Sequence, residues 1–383
     1  MNNFDLNEEQ LAIQEMALSF AADKMAPHAV QWDADKHFPV DVIKEVAPLG
    51  MAGIYVNEDV GGSGLGRLDA AIIFEALATG CPSTSAFISI HNMTAWMIDK
   101  FGSEEQRQRW VPDLCSMNTI GAYCLTEPGA GSDAAALKTR AVRDGDHYVL
   151  NGQKQFISGS GAAGVYIVMV RTGDDGPNGI SALIVPEDTP GLSFGPNEHK
   201  MGWNVQPTCA MIFEDARVPV ENLMGAEGEG FKFAMAGLDG GRLNIGACSL
   251  GGAQFAFDKA LTYIDEREAF GKKLNEFQGL QFRIAEMKMN LEAARTLLYK
   301  AACKLDQKTH DATMWCSMAK ARATETGFEV ADQALQLHGG YGYLSEYGIE
   351  KIVRDLRVHR ILEGTNEIMR LIISRQLIKE ARS

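Results

Sequence analysis

The chain has 383 residues, with 36 lysines and arginines against 50 aspartates and glutamates, a formal net charge of −14. This acidic balance argues against nucleic acid or an anionic membrane surface as the main partner, although a polyanionic ligand needs only a local basic patch. At roughly 150 residues per domain the length predicts two or three packed units. The hydrophobic fraction of 46% is sufficient for their cores.

The cysteines and histidines form no recognisable site. The seven cysteines include no Cys-x-x-Cys pair, and the eight histidines include no His-Glu-x-x-His motif, so we expect reduced thiols and no bound metal. The longest apolar run, around residues 161–170, is too short to cross a bilayer, and we expect no membrane insertion. The first residues lack the pattern of a signal peptide or presequence. We therefore expect a bacterial cytoplasmic protein, or a mitochondrial matrix protein if the chain is a processed eukaryotic one.

Residues 1–117 have the pattern of a helical domain. Asn-Glu-Glu-Gln at 7–10 and Ser-Glu-Glu-Gln at 103–106 are capping boxes, each of which predicts the start of a helix. The glycine-rich stretch at 61–66 predicts a loop between helices.

Residues 118–225 have the pattern of strands. Runs rich in β-forming residues occur at 147–150, 165–170, 180–185 and 210–213. The dipeptides Asp144-Gly145 and Asn151-Gly152 predict tight turns on either side of the first run. This region is predicted to be a compact β-barrel or sandwich.

Residues 226–383 are helical again. One apolar stripe recurs at steps of four and three through Leu280, Ile284, Met287, Leu291, Ala294 and Leu298. Several such helices with short connections predict a bundle. The predicted fold class is therefore α+β, in the chain order helices, strands, helices.

One familiar motif carries no function here. Gly159-Ser-Gly-Ala-Ala-Gly164 matches the pattern Gly-x-Gly-x-x-Gly. A dinucleotide site needs a helix after these glycines, so that its N-terminus meets the pyrophosphate. The predicted strand at 165–170 follows instead, and we predict an ordinary turn.

The segment Tyr123-Cys-Leu-Thr-Glu-Pro-Gly-Ala-Gly-Ser-Asp133 is a better candidate. Its small residues let the backbone approach a flat ring closely, and Thr126 and Ser132 supply hydroxyls. Taken alone, such a segment is more often a plain surface turn. Phe156-Ile-Ser158 follows the predicted hairpin and places an aromatic ring and a hydroxyl on one side of a strand.

Two segments of the helical region end or interrupt helices. Arg267-Glu-Ala-Phe-Gly271, followed by Gln278, offers a cation, an aromatic ring and an amide, although a solvated arginine beside a glycine loop is the simpler interpretation. The segment 336–342 ends a helix with two glycines, either as a structural stop or as a backbone surface for phosphates. A histidine such as His338 is more often structural than catalytic.

Glu363 is the candidate base. It lies just before Gly364, and Thr365 and Asn366 have the pattern of caps for the next helix. A glutamate beside arginines is usually a salt-bridged surface residue. At a helix junction that faces a cavity, however, a carboxyl group is desolvated and its pKa rises toward the range useful for a base.

These segments together resemble the acyl-CoA dehydrogenases, in order and in spacing. The matching segments are 126–133, 267–271 with Gln278, 336–342 and 361–365. The resemblance covers essentially the whole chain. It implies an acyl-CoA dehydrogenase-like fold with an N-terminal helical domain (1–117), a middle β-barrel domain (118–225) and a C-terminal four-helix bundle (226–383). It also implies a homotetramer that binds FAD between the β domain and the bundle.

The resemblance assigns residues to the cofactor. The hydroxyl of Thr126 would lie near the flavin nitrogen that accepts hydride, with Phe156 and Ser158 on the opposite face, where most of the family has Trp and Thr. Arg267 and its neighbours, with 336–340 of a neighbouring subunit, would hold the pyrophosphate and adenine. The implied cofactor-binding residues are Tyr123, Leu125, Thr126, Ser132, Phe156, Ile157, Ser158, Arg267, Phe270, Phe277, Gln278, Gln336, Leu337, His338, Gly339, Gly340, Thr365, Asn366 and Glu367.

Glu363 matches the base that removes the α-proton of the acyl-CoA thioester. That proton is weakly acidic, so the enolate-like charge must be stabilised; in the family, a flavin ribityl hydroxyl and the backbone N–H of the base donate to the thioester oxygen. Isovaleryl-type and long-chain members place their base just before the arginine matched by Arg242. Here that residue is Gly241, which cannot act. Implied substrate-binding residues are Ser132, Arg242, Gly364 and Arg375.

Other stretches resemble the branch of the family that oxidises isobutyryl-CoA to methacrylyl-CoA in valine degradation. They are residues 38–42, 73–81, 88–93, 156–158 and 202–208. We expect this reaction, with electron-transferring flavoprotein as the electron acceptor. The alternatives are a short-chain or 2-methylbutyryl-CoA dehydrogenase, an acyl-CoA oxidase that uses oxygen, and a non-catalytic acyl-CoA-binding module.

Overall fold

The N-terminal region of the computed structural model, which describes residues 5–382, is helical as predicted. Its helices are α1 (Glu8–Phe20), α2 (Ala29–Asp35), α3 (Val40–Lys44), α4 (Arg67–Gly80), α5 (Pro82–Phe101) and α6 (Glu104–Cys115). Both capping boxes are formed: the side chains of Asn7 and Ser103 accept hydrogen bonds from the backbone N–H of Gln10 and Gln106. Residues 61–66 connect helical segments, as predicted.

The middle region is a β domain, also as predicted. Its strands are β1 (Gly121–Cys124), β2 (Arg140–Asp144), β3 (His147–Ser158), β4 (Val165–Arg171), β5 (Ile180–Pro186), β6 (Leu192–Phe194), β7 (Thr208–Pro219) and β8 (Leu223–Met224). The sheet order is β6-β7-β3-β2-β4-β5-β8, with β1 parallel to β4. β4 is buried along its whole length. The four predicted strands all lie within these elements, and the turn at 159–164 is confirmed.

One predicted turn is wrong. Asp144-Gly145 does connect β2 to β3, but Asn151-Gly152 lies inside β3. The side chain of Asn151 donates to the carboxylate of Asp215 and accepts from its backbone N–H. The register against β7 shifts between Leu150 and Gly152, and Gly152 has a φ of +143°. The dipeptide therefore forms a β-bulge, which needs the same backbone freedom as a turn.

The C-terminal region consists of long helices around a central one. The elements are α7 (Gly230–Glu266), β9 (Glu268–Ala269), β10 (Lys272–Lys273), α8 (Gln278–Asp306), α9 (Ala312–His338), α10 (Ile349–His359) and α11 (Asn366–Glu380). The predicted stripe on α8 is buried from Met287 to Leu298. Glycines let α7 pack closely against α4: a Cβ on Gly251 would lie 2.0 Å from the backbone oxygen of Glu75. The short β9–β10 hairpin was not predicted.

The three regions meet at α7, which packs against α4 and α5, against β5, and against α8 and α9. The domain boundaries that we propose, after residues 117 and 225, fall in the segments that join α6 to β1 and β8 to α7. Within residues 5–382, none of the helices combines the length and hydropathy that a transmembrane span requires.

Candidate active site

Glu363 lies in the turn between α10 and α11, and its backbone is strained. Its φ is +55° and that of Gly364 is +86°. A left-handed conformation is unfavourable for a residue with a Cβ, and it persists where surrounding contacts enforce it. The turn is closed by a hydrogen bond from the backbone N–H of Asn366 to the oxygen of Arg360, 3.0 Å long. Thr365 caps α11 by accepting from the backbone N–H of Ile368, as its position predicted.

The carboxylate of Glu363 is packed against Gly241 of α7. A Cβ built on Gly241 would lie 2.5 Å from Oε2 of Glu363. The residue as a whole is half-buried, but its Oε2 atom is inaccessible and has no hydrogen-bond partner within residues 5–382. Glycine at 241 therefore does more than exclude an alternative base at that position. It provides the space that the carboxylate of Glu363 occupies.

Burial changes the acidity of this carboxyl group. Desolvation raises the pKa of Glu363 to about 7, against the opposing charges of Arg242 and Lys320. A general base is most effective when its pKa lies near the working pH, because it is then largely ionised and still basic. The predicted desolvation at a helix junction is thus present, and Glu363 has the acidity that a base at neutral pH needs.

Arg242 contacts the backbone of the base. Its Nε lies 3.4 Å from the Glu363 carbonyl oxygen, and its Nη1 donates to Oδ1 of Asp239 over 2.6 Å. The second oxygen of Asp239 accepts from the hydroxyl of Thr313. Thr313 lines a cavity of about 260 Å³ that also includes the exposed Arg375. Arg242 is therefore linked through Asp239 and Thr313 to the cavity that Arg375 lines.

Tyr123 faces the same site. Its hydroxyl is inaccessible and has no hydrogen-bond partner within the described residues. Burial raises the pKa of Tyr123 well above its usual value, and the charge of Glu363 adds to the rise. Two buried polar atoms without partners, one on Tyr123 and one on Glu363, indicate that a ligand completes this site.

A buried ion pair holds the loop that follows β1. Glu127 pairs with Lys154 of β3 at 2.7 Å and accepts from the backbone N–H groups of Lys138 and Thr139. Lys154 also donates to the carbonyl of Leu125. A second bond, from the backbone N–H of Gln155 to the oxygen of Thr126, joins the loop to the same strand. Sequence reasoning missed Glu127 and Lys154, since nothing in the strand pattern indicates that a lysine points inward.

The predicted residues at the end of β3 lie beside this loop. Phe156 is 63% exposed with a φ of +59°, Ile157 is buried, and Ser158 is half-buried. The register against β7 shifts between Lys154 and Ile157, so Phe156 projects from an interruption in the sheet. Ser132 lies on the exposed part of the loop. An exposed ring on a strained backbone is available to pack against a planar ligand.

A second group of predicted residues lines a cavity of about 590 Å³. Arg267, His338 and Tyr263 are among its lining residues, with the whole segment 336–341. The ring of His338 stacks on Tyr263, and its Nδ1 bonds to the oxygen of Ala334, so the histidine is structurally satisfied. The resemblance implied that 336–340 reach the cofactor from a different subunit than Arg267. Within one chain the end of α7 and the end of α9 meet at this cavity, and the division of the cofactor site between subunits stays a prediction.

The remaining predicted residues are mostly exposed. Phe270 is 96% exposed at the tip of the β9–β10 hairpin, and its ring makes an edge contact with half-buried Phe277 at 6.3 Å. Gln278 is exposed at the start of α8, and Glu367 is exposed in the first turn of α11. Asn366, in contrast, is buried and bonds to Lys320 of α9. In the part of the chain that the structure describes, no three His, Cys, Asp or Glu side chains are grouped for a metal ion.

Lys320 is the other site residue that sequence reasoning missed. It is fully buried beneath the Glu363 turn and donates to the carbonyl of Gly364. A signal was present: Cys316, Ala319 and Ala323 are buried on the same face of α9. A lysine in such an apolar i, i+3, i+4 pattern has to find buried acceptors.

Comparisons with known proteins agree with this geometry. Three family models, described as the N-terminal, middle and C-terminal domains of acyl-CoA dehydrogenase, match residues 7–118, 122–216 and 228–378. The chain is 56% identical over 375 residues to mitochondrial isobutyryl-CoA dehydrogenase of Bos taurus, covering 98% of this chain and 90% of that protein. It is 58% identical over 376 residues to the protein of the same name in Dictyostelium discoideum, with the same coverage of 98% and 90%. The structure of butyryl-CoA dehydrogenase from Megasphaera elsdenii matches with a TM-score of 0.95 and 38% identity, covering 98% and 100% of the two chains.

The acidity of Glu363 predicts a pH-dependent cost to stability. Its pKa rises from an ordinary value of 4.5 to about 7 on folding, so the folded state binds more protons between these values and stability falls as pH rises through them. Glu363→Gln removes this cost. We expect the variant to be more stable than the wild type at pH 8, by on the order of 2 kcal/mol, and the difference to shrink by pH 5. Urea unfolding at pH 5 and pH 8 measures the difference in the free energy of unfolding between the two proteins.

The exposed Glu214 on β7 offers a matched control, because it lies outside the apolar surface of α8 and α11. Glu214→Gln should not reproduce the pH-dependent gain in stability. A Glu363→Gln variant whose stability differs from the wild type equally at pH 5 and pH 8 would contradict the raised pKa.

Proposed function

Because this chain belongs to the acyl-CoA dehydrogenases, which are FAD-dependent oxidoreductases, we propose that it oxidises isobutyryl-CoA to methacrylyl-CoA with Glu363 as the base. The observation that carries this proposal is the buried Glu363 carboxylate against Gly241, with its pKa raised to about 7. The substrate rests on the names of the bovine and Dictyostelium relatives. It also rests on the stretches of sequence that resemble the isobutyryl-CoA branch.

The reaction begins with proton abstraction by Glu363. Its carboxylate takes the α-proton, and the negative charge that develops is carried mainly by the thioester oxygen. The backbone N–H of Glu363 has no acceptor within residues 5–382, and it donates to that oxygen. Such a donor stabilises charge as it forms. FAD, when bound, supplies the acceptor for the β-hydride, and the product carries an α,β-double bond.

Arg242 and Tyr123 support the base from two sides. Arg242 fixes the carbonyl of Glu363 and is itself held by Asp239. The inaccessible hydroxyl of Tyr123 lies within reach of the charge of Glu363, which raises the pKa of Tyr123 further. A dry site strengthens every charge interaction within it and preserves the raised pKa. We propose Arg375, Ser132 and Gly364 as further contacts of the acyl-CoA.

The residues present fit FAD. A flavin ring needs a flat apolar surface and nearby donors, and the exposed Phe156 beside Thr126 offers both. A pyrophosphate needs cations and polar backbone groups; Arg267 lines the 590 Å³ cavity together with the glycines at 339 and 340, which would reach the cofactor of a neighbouring subunit. Around these, we propose Leu125, Ile157, Ser158, Phe270, Phe277, Gln278, Gln336, Leu337, His338, Thr365, Asn366 and Glu367 as the cofactor's remaining contacts.

We propose a homotetramer with electron-transferring flavoprotein as the electron acceptor. Support for association comes from large apolar side chains that α8 and α11 leave exposed in one chain: Phe282, Met289, Leu371, Leu377 and Ile378. Exposed apolar groups at this density are typical of an interface. The acceptor follows from the family alone. A chain of eukaryotic origin would act in the mitochondrial matrix, as the names of both relatives indicate, and a bacterial one in the cytoplasm.

An anaerobic titration followed by flavin absorbance tests the substrate and the base together. We expect isobutyryl-CoA to bleach the wild type faster and more completely than butyryl-CoA. Glu363→Gln should still bind FAD and acyl-CoA, but bleach on the order of 10²- to 10⁴-fold more slowly, because it cannot accept the α-proton.

Each part of the proposal has its own contrary result in this titration. Preferential bleaching by butyryl-CoA would overturn the substrate and keep the reaction. Near-normal bleaching of Glu363→Gln would remove Glu363 as the base. Fast reoxidation of the reduced protein in air, with peroxide formed, would indicate an acyl-CoA oxidase.

Arg267 is expected to hold FAD through charge. The exposed guanidinium lines the 590 Å³ cavity, and a charge-assisted bond to a phosphate is lost in Arg267→Ala. We expect the FAD dissociation constant to rise roughly ten- to hundredfold, measured by titrating apoprotein with FAD. Arg109 of α6, also exposed and 4.7 Å from the ring of Trp110, provides the control Arg109→Ala. Equal FAD affinity in the two variants would identify Arg267 as a solvated surface charge.

A further inference from the structure

The turn that carries Glu363 rests on a buried lysine. Lys320 of α9 is 0% exposed, and its Nζ donates to the carbonyl of Gly364 over 2.8 Å and to Oδ1 of Asn366 over 2.9 Å. These acceptors lie one and three residues after the base. Lys320 therefore binds the backbone of the turn immediately next to the strained residue.

Asn366 connects this lysine to the rest of α9. Its Nδ2 donates to the hydroxyl of Thr324 and to Oε1 of Glu325, each over 3.0 Å. Every polar atom of the Asn366 side chain is thus satisfied inside the protein. Two successive turns of α9 hold the start of α11, and Lys320 is the cation among these residues.

The charged and titratable groups around Lys320 come from each element packed against it. They are Asp239 and Arg242 of α7, Glu325 of α9, His359 of α10, Arg360 and Glu363 of the turn, and Glu367 of α11. Burial lowers the pKa of Lys320, while the charge of Glu363 opposes this. The cation and the carboxylate therefore stabilise each other's charged forms in a dry environment.

A purely structural role does not require a lysine at this position. Burying an ammonium group costs several kcal/mol (order of magnitude), and a neutral donor would serve the two acceptors equally well. A cation at this position lies next to a carboxyl group that burial makes hard to ionise. We therefore infer that the charge of Lys320 helps Glu363 to ionise.

We propose that Lys320 is a positioning residue for the reaction: it holds the Glu363–Asn366 turn through two hydrogen bonds and favours the ionised carboxylate through its charge. The inference rests on the proposed role of Glu363 as the base. Lys320 lies behind the turn and is fully buried, so it offers no accessible surface to a ligand.

The test compares the pH dependence of kcat in the holoenzyme with Lys320→Met, which has similar length and no charge. We expect the midpoint of the rise in kcat to move up by roughly one pH unit, because the carboxylate loses its nearby cation. At pH 7 kcat should fall several-fold and recover toward the wild-type value at high pH. KM for the acyl-CoA should change less than about twofold, since substrate contacts are untouched.

Two further variants separate charge from hydrogen bonding. Lys320→Gln keeps a donor beneath the turn without the charge, and it should shift the midpoint as Lys320→Met does. Thr324→Val removes a hydrogen bond to Asn366 and leaves the charge in place, so its midpoint should match the wild type. Flavin content and thermal unfolding establish that each variant is folded.

A midpoint unchanged in both Lys320 variants, with kcat reduced equally at every pH or not at all, would contradict the proposal. A wild type that oxidises no acyl-CoA would contradict the proposed function instead. The two failures are therefore distinguishable.

Discussion

The close contact between the Glu363 carboxylate and Gly241 is the feature on which the rest of the site depends. Any side chain at 241 would occupy the position of the carboxylate, since even a Cβ there would lie 2.5 Å from Oε2. The contact keeps Oε2 away from water, and that desolvation raises the pKa of Glu363. The absence of a side chain at Gly241 of α7 thus determines both where the Glu363 carboxylate lies and how basic it is.

The surrounding structure maintains this contact. The turn keeps Glu363 in a left-handed conformation that costs roughly 1 kcal/mol or more, and Arg242 and Lys320 hold it from α7 and α9. On the β side, the Glu127–Lys154 ion pair fixes the loop after β1. Helices and sheet therefore contribute separately to one site, and α7 connects them.

Patterns of apolar residues and caps were sufficient to predict the α–β–α order and most element positions. The Asn151-Gly152 prediction failed because a bulge and a tight turn use the same dipeptide, and the tertiary pairing with Asp215 decides between them. Glu363 was identified by its motif, whereas Lys154 and Lys320 were not, because the orientation of a lysine toward a buried acceptor depends on distant chain segments. Sequence spacing likewise does not reveal that the ends of α7 and α9 meet in one chain, where Arg267 and residues 336–341 line one cavity.

The central claim is that the base is a desolvated carboxylate with a pKa near neutrality, and the pH dependence of kcat/KM tests it most directly. For the wild type with its best acyl-CoA, this profile reports the free enzyme's ionisation. The account predicts that kcat/KM rises with pH to a plateau, with a midpoint at about 7, the pKa to which burial raises the Glu363 carboxyl group. A midpoint near the ordinary glutamate value of 4.5 would contradict it, because the carboxylate would then be solvated in the functioning protein.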